Sequence, residues 1–536
     1  MNANLLKTNY ELNLENKALK KQNSILTFEN KAFKKSIESI KKKQLEFEAN
    51  VNTLISKAVN DAVGKVTVKF EKQLAEKDKQ IDKLTKEVKR LKSQINKDSS
   101  NSSKPSSTNG FKDVVQNNRE ITGKKPGGQP GHQGHKLELP ENLEELIKDE
   151  KIQLIVKDNK IAGKKYTDEY ISKYELDIEI KAVLIEHRFY DEISKNNIVI
   201  PPKIPINLKN NVNYGINIKS LSSTLSLEGI IANKRLADFF KEISHGIIKP
   251  STATIISFNE LLAHQLDTTN QIEVIKNDLL NKEVMWVDDT VIKSSEIPDE
   301  FKRECEDRKV FRTCLRNHSN EESTLFTFNA KKDEAGIISD DILPNYYGIL
   351  IQDFEAKFSN YGNDRGYCHP HINRELKSVF ENLAIEFAPR LISFFNNLNN
   401  DKKELIAKKV KKITASRLKA INKEYDEIIA EGREQLKPLK DKYYYNETSN
   451  LLMRLEDYKH NYILFIKDFK VDYSNNLSER ELRPTKTKAK VSGVFRSYKG
   501  GKIYAKNRSF VTTIKKRELN IFESIKSILN GNPVLA

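Results

Sequence analysis

The stretch Glu283-Val284-Met285-Trp286-Val287-Asp288-Asp289-Thr290 reads as a buried strand that ends in acids. The two-residue period of a strand puts Val284, Trp286 and Asp288 on one face and Asp289 on the other. A second run, Gly348-Ile349-Leu350-Ile351-Gln352-Asp353, is again apolar and again ends in an acid. An aspartate at the end of a buried strand is costly to desolvate unless it is paired or holds a cation. Taken singly, each aspartate is more readily a strand-end turn or a helix cap. With a third acid they would supply hard oxygen ligands converging from different elements, which is what Mg2+ needs.

That third acid is Glu479, within Asn475-Asn476-Leu477-Ser478-Glu479-Arg480-Glu481-Leu482-Arg483-Pro484. Proline disfavours helix in the residue before it, so the spacing predicts a helix that ends near Pro484. Asn476 and Arg483, three residues before and four after Glu479, then share its face. From 483 to 517 there are twelve Lys or Arg and no acid. A carboxylate at the mouth of such a stretch suits a cation held beside a polyanion. Nucleic acid fits, because phosphates provide most of the binding energy available to Lys and Arg. Two Mg2+ (or Mn2+) ions about 3.5–4 Å apart would activate a water or 3′-hydroxyl and stabilise the leaving oxygen. Arg483, Arg496, Lys499 and Lys502 are the candidate phosphate contacts. Arg374 is a candidate phosphate contact or partner of a site carboxylate. Cys368, His369 and His371 precede it, but a zinc site there needs ligands that the neighbouring sequence lacks, so they read as packing or DNA contacts.

At 536 residues the chain should form two to four domains. A net charge of +17 favours a nucleic-acid partner over an acidic small molecule. Cys305, Cys314 and Cys368 offer no disulfide framework, as expected in a reducing cytosol. With no apolar leader, and no run near the roughly 18 apolar residues of a membrane span, a cytoplasmic, nucleoid-associated protein without a membrane partner is expected.

Residues 1–98 hold no proline and one glycine, Gly64. Leu74, Ile81, Leu84, Val88, Leu91 and Ile95 follow coiled-coil spacing, so this region should pair at least two copies of the chain. A flexible basic linker, 99–136, contains SSNSSKPSST and the loop KKPGGQPGHQGH at 124–135. His132 and His135, without cysteine neighbours, make a poor zinc site. A small β-containing module is expected over 137–205, where Leu176, Ile178 and Ile180 alternate with acids. Residues 206–280 are helical in pattern; the segments around Gly246 fit either a packed helical hairpin or a DNA-binding helix-turn-helix. Strand signals dominate from 281 to 374, helical ones from 375 to 462, with Leu418, Ile421, Tyr425 and Ile428 on one face. Residues 463–536 read as strand-like, then mixed.

Four blocks in this order resemble the bacterial insertion-sequence-66 transposases: the loop KKPGGQPGHQGH; WVDDT; GILIQDF followed by CHPHINREL; and NNLSERELRP leading to SGVFRSYKGG. The resemblance implies a multidomain α+β protein with a ribonuclease-H-like mixed-sheet core interrupted by a helical insertion, behind the coiled coil and a helical DNA-binding region. It implies Asp288, Asp353 and Glu479 as catalytic and metal-binding triad, and favours Asp288 over Asp289, since the family's acid directly follows the apolar pair. The implied activity is cleavage of element ends by hydrolysis and joining of 3′-hydroxyls to target DNA by transesterification. Implied partners are double-stranded DNA, a second copy of the chain and accessory proteins of the element. Members commonly carry two cysteine pairs after the glycine-rich loop; here 140–205 has none, so no structural zinc is expected. The rival reading is a non-catalytic DNA-binding protein derived from a transposase, against which stand the intact acids at all three positions.

Overall fold

The computed structural model describes residues 137–536 except 161, 167, 170, 196, 197, 206, 207, 209, 299–310 and 443. It also describes Gly131 and, before it, 22–25, 27, 31, 34, 70, 72–85, 87 and 88. The linker at 99–108, the remainder of the glycine-rich loop, Leu91, Ile95 and Cys305 lie outside these. Of the expected coiled-coil seam, Leu74, Ile81, Leu84 and Val88 fall on helical residues. The chain divides into two compact units, 113–183 and the remainder.

Within 113–183 the described residues contain one short helix, Leu143–Lys148, and no strand. The strand expected around Leu176, Ile178 and Ile180 is absent, and these side chains are 49%, 84% and 58% exposed. Apolar alternation supplies a face, but a strand also needs a ladder partner and something to cover that face. Among the described residues before 280, strand pairing is confined to Glu192–Ile193 with Val199–Ile200, and both are exposed. Among the described residues of 137–183 none is buried, so no apolar core is seen there.

The larger unit is built on a five-stranded mixed sheet of β1 (Val284–Ser294), β2 (Phe311–Ser319), β3 (Thr324–Asn329), β4 (Ile349–Gln352) and β5 (Asp364–Tyr367), in spatial order 3-2-1-4-5. β1, β2 and β3 pair antiparallel, whereas β1, β4 and β5 run parallel. Between 210 and the sheet the chain forms α1 (Ile216–Leu227), α2 (Asn233–Ile243), α3 (Thr252–Thr268) and α4 (Gln271–Asn281). The short α5 (Glu334–Asp340) leads from β3 toward β4. After β5 come α6 (His369–Leu383), α7 (Phe387–Ala407), α8 (Ala415–Leu436) and α9 (Tyr445–Asp457). The chain then forms α10 (Asn476–Ser492), α11 (Tyr498–Lys516) and α12 (Ile521–Leu529).

Strand alternation sorts the core into two clusters. Val284 and Trp286 of β1, with Ile351 and Tyr367, pack against Ile372, Leu391, Tyr425 and Leu452 of α6–α9. Met285 and Val287, with Leu350, pack against Leu262 and Leu266 of α3, Leu279 of α4, Phe510 of α11 and Ile525 of α12. Helices thus cover both faces of the sheet, an α+β arrangement in which each element buries its apolar side. The break expected at 280 is not there: α3 and α4 share the sheet's own core. α2 and α3 also pack on one another through Leu236, Phe240, Ile255 and Phe258 across a turn where Gly246 has φ +78°.

The chain beyond Ile463 is helical, not strand-like. Its opening apolar run is buried all round (Ile463, Leu464, Phe465, Ile466), and such short runs carry no period that separates strand from helix. Nor does α10 stop at Pro484. Proline inside a helix costs about 3 kcal/mol. Burying Leu482 against Leu315, Phe326 and Phe328 returns about 1.5–3 kcal/mol. The following turn is anchored by Thr485 Oγ1 at 3.1 Å from the Tyr504 hydroxyl and by Lys488 Nζ donating to Ser226 O at 3.3 Å. Packing prevails over local preference. The glycines of SYKGG serve the next helix: Gly500 N donates to the capping Ser497 Oγ at 2.9 Å, and a Cβ on Gly501 would lie 2.3 Å from the Phe328 ring. α11 also closes the sheet edge, with Thr324 N and Phe326 N donating to Thr513 Oγ1 and Ser509 Oγ.

Candidate metal centre

The register of β1 on β4 pairs Val287 with Gln352, so one step further Asp288 and Asp353 stand level on neighbouring parallel strands. Strands lie about 4.8 Å apart, so the Asp353 carboxylate acts on that of Asp288 from the end of β4. β1 does not end at its acids as expected: Asp288 is its fifth residue, and antiparallel pairing with β2 carries the strand on to Ser294. Asp288 follows the face of Val284 and Trp286. Burial, then the charge of Asp353, push its carboxyl up to about 8, and Lys486 opposes them. One of its oxygens accepts from Asp289 N at 2.7 Å. Asp289 points to the other face and is ringed by cations: Lys357 Nζ at 2.5 Å, Lys332 Nζ at 2.9 Å and Arg316 Nε at 3.7 Å.

Glu479 arrives from the first turn of α10. Burial and the charge of Asp353 raise its pKa, against the pull of His371, Arg374 and Lys486. Its Oε1 is buried and has no hydrogen-bond partner. Two residues on, Glu481 is consumed by the fold: it accepts from Asn317 Nδ2 at 3.1 Å, Thr324 Oγ1 at 2.9 Å and Ser319 Oγ, and pairs with Lys516 Nζ at 2.6 Å.

α6 brings two more ligand atoms. Cys368 caps its start and His371 lies one turn on. His371 Nδ1 is 3.1 Å from Asp353 Oδ1 and 3.6 Å from Glu479 Oε1. Burial disfavours the charged ring, but the Asp353 carboxylate at 3.1 Å and then the charge of Glu479 outweigh it and raise the pKa. Burial and the nearby Asp353 hold the Cys368 thiol well above its ordinary range. One ligand atom from each of Asp353, Cys368, His371 and Glu479 lies within 4.8 Å of the others.

The asparagine that serves this site is Asn475, not the expected Asn476, which is exposed. Asn475 Nδ2 donates to Val287 O at 2.8 Å and to Asp353 Oδ1 at 3.3 Å, and its backbone N donates to Cys368 Sγ at 3.2 Å. It ties β1, the end of β4 and the start of α6 to the start of α10. Lys486, two turns beyond Glu479, acts on both Asp288 and Glu479 because α10 runs on through Pro484. His371 and Lys486 had weak signals in the sequence, at one helical turn from Cys368 and two from Glu479.

The expected cationic residues divide. Arg374 is half-buried and acts on Glu479 and His371. Arg483, Arg496, Lys499 and Lys502 are exposed, with Lys499 Nζ 3.4 Å from Glu260 and Lys502 Nζ 4.8 Å over the Tyr498 ring. Much of the remaining basic stretch is neutralised internally: Lys506 pairs with Asp267, Arg508 and Lys515 with Glu228, Lys516 with Glu481 and Arg517 with Asp278. Lys488 is pushed down to about 8 by burial, then by Arg508.

Among the described residues the ligand atoms that lie together are those of Asp353, Cys368, His371 and Glu479, and Asp288 is not one of that group. Asp288 and Glu479 are raised first by burial and then by the charge of Asp353, and Glu479 keeps a buried oxygen without a hydrogen-bond partner, penalties that a divalent cation would relieve. All the residues of this centre lie in the part of the chain that matches a known family. Residues 228–503, just over half of the chain, match the family described as Transposase IS66 family. Residues 9–138 match a family of unknown function (DUF6444). No curated protein and no solved structure matches the chain. With its metal-suited acids inside a match of that extent, the chain belongs to the IS66 transposase family.

Proposed function

We propose that this transposase cuts and joins DNA through Asp288, Asp353 and Glu479. The observation that supports the reading is that Asp288 and Glu479 are each raised by burial and then by the charge of Asp353, whereas the neighbouring Asp289 is held by three cations. The mixed sheet, with one acid on its central strand, one at the end of the parallel neighbour and one on a following helix, supports a ribonuclease-H-like core. Divalent ions held by these residues, Mg2+ or Mn2+, would activate the attacking oxygen and stabilise the leaving one. The chain's own residues prepare the place. The Asp289 cluster pins the middle of β1, Asn475 orients Asp353, and Lys486 brings a positive charge to where a scissile phosphate would lie. Exposed Arg483, Arg496 and Lys502 are placed to meet flanking phosphates, and the helix around 72–88 would pair two copies so that two element ends meet.

Purified protein is incubated with labelled element ends, with and without Mn2+. Asp288→Asn, Asp353→Asn and Glu479→Gln should each abolish cleavage and leave DNA binding intact. Full cleavage by any one removes that residue from the triad.

A further inference from the structure

We propose that Asp353, Cys368, His371 and Glu479 form a zinc-selective ligand set that overlaps the hard-cation centre and competes with it. The competition rests on the function proposed above; the zinc site itself does not. Local sequence offers Cys368 and His371 no further ligands, but the fold brings Asp353 and Glu479 to them from β4 and α10. A tetrahedral zinc site with bonds of about 2.0–2.3 Å has ligand-to-ligand edges of about 3.3–3.8 Å. The His371 Nδ1 edges to Asp353 and Glu479, 3.1 and 3.6 Å, are already on that scale. The widest gap in the set is 4.8 Å, so a closing movement of about 1 Å completes the tetrahedron.

The donor chemistry discriminates between ions. Thiolate and imidazole favour Zn2+, whereas Mg2+ takes an octahedron of oxygens and gains nothing from either. Cys368 and His371 share a helix start whose position is fixed by Asn475 N on the sulfur, so the pair is held together before any ion arrives. Asp353 and Glu479 belong to both sets; Asp288 completes only the hard one. An ion bound to the sulfur and the imidazole therefore takes two carboxylates away from Asp288. Zinc should inhibit this enzyme, not support it.

The test uses metal-free full-length protein titrated with Co2+, then with Zn2+. Three quantities are read: the thiolate-to-cobalt absorption band, the zinc retained after gel filtration, and end cleavage in Mg2+. Wild type should show the band, lose it to one Zn2+ per chain, and lose cleavage over the same titration. Cys368→Ser should lack the band and need about tenfold more Zn2+, or beyond, for half-inhibition; His371→Ala should also bind more weakly. Asp288→Asn should keep the band although it cannot cleave. If Asp288→Asn cleaves, the function proposed above falls while the zinc site stands. A wild-type protein that retains zinc without a thiolate band binds it elsewhere, and the proposal is overturned without recourse to any variant. Equal zinc affinity in wild type and Cys368→Ser overturns it as well.

Discussion

Asp288 and Asp289 are adjacent and chemically identical, yet the two faces of β1 treat them in opposite ways. Asp289 sits among Arg316, Lys332 and Lys357, with Asp340 and Glu355 balancing the surplus cations. Asp288 meets Asp353 on the next strand and is pushed toward neutrality. One acid has been satisfied by the fold; the other waits for something the chain does not supply. On the proposed reading, what sets Asp288 apart is the missing ion-pair partner and not depth, since it is half-buried and Asp289 is buried.

The contrast breaks if the two asparagine substitutions behave alike. Asp289→Asn removes the shared partner of three cations, and orphaning buried charge typically costs about 3–5 kcal/mol. It should lower the urea midpoint strongly, while Asp288→Asn should not. A destabilised Asp288→Asn, or an unaffected Asp289→Asn, would reverse the assignment of the two faces.

A smaller effect concerns pH. A carboxyl raised from 3.8 to about 8 keeps its proton in the folded chain where the unfolded chain has lost it. Between those values the folded state binds more protons, so metal-free stability falls as pH rises toward 8. Asp288→Asn should flatten that decline and melt higher than wild type at pH 8, by a few degrees. Added Mn2+ should restore stability to wild type and release protons in doing so. A melting temperature that climbs steadily from pH 5 to pH 8 without metal would show that Asp288 is ionised throughout.

The strand positions of Asp288 and Asp353 were legible because they depend on rules that act within a few residues. Strand period separates Asp288 from Asp289, and an apolar run marks Asp353 as the end of a strand. The partners were not legible, because tertiary contact creates them. Asn475 reaches Asp353 across 122 residues and Val287 across 188. Lys486 faces the site only because Leu482, Thr485 and Lys488 carry α10 through Pro484. The apolar alternation at Leu176, Ile178 and Ile180 misled for the converse reason: period describes a face and says nothing about whether anything covers it.

The smallest effects on stability should separate the two halves of the basic stretch, which repeat the Asp288 and Asp289 contrast with the sign reversed. Lys506, Arg508, Lys515 and Lys516 form ion pairs within the chain at 2.5–2.7 Å, whereas Arg496, Lys499 and Lys502 are exposed and, among the described residues, the one ion pair they make, Lys499 with Glu260, is longer at 3.4 Å. The triple change of Arg496, Lys499 and Lys502 to alanine should cost about 0–1 kcal/mol of stability, since exposed pairs such as Lys499 with Glu260 are worth little. Its effect should appear in DNA binding. Each phosphate contact contributes about −0.9 to the slope of log affinity against log salt, so the slope should flatten by roughly two to three units. The loss should be the same for element ends and unrelated DNA, because phosphate contacts position a duplex without reading it. Lys506→Ala is the control. Lys506 is committed to Asp267, so the slope should stay as it is. An unchanged slope in the triple variant, or a flattened one in Lys506→Ala, would mean that the exposed cations at 496–502 do not mark the DNA-facing side of this stretch.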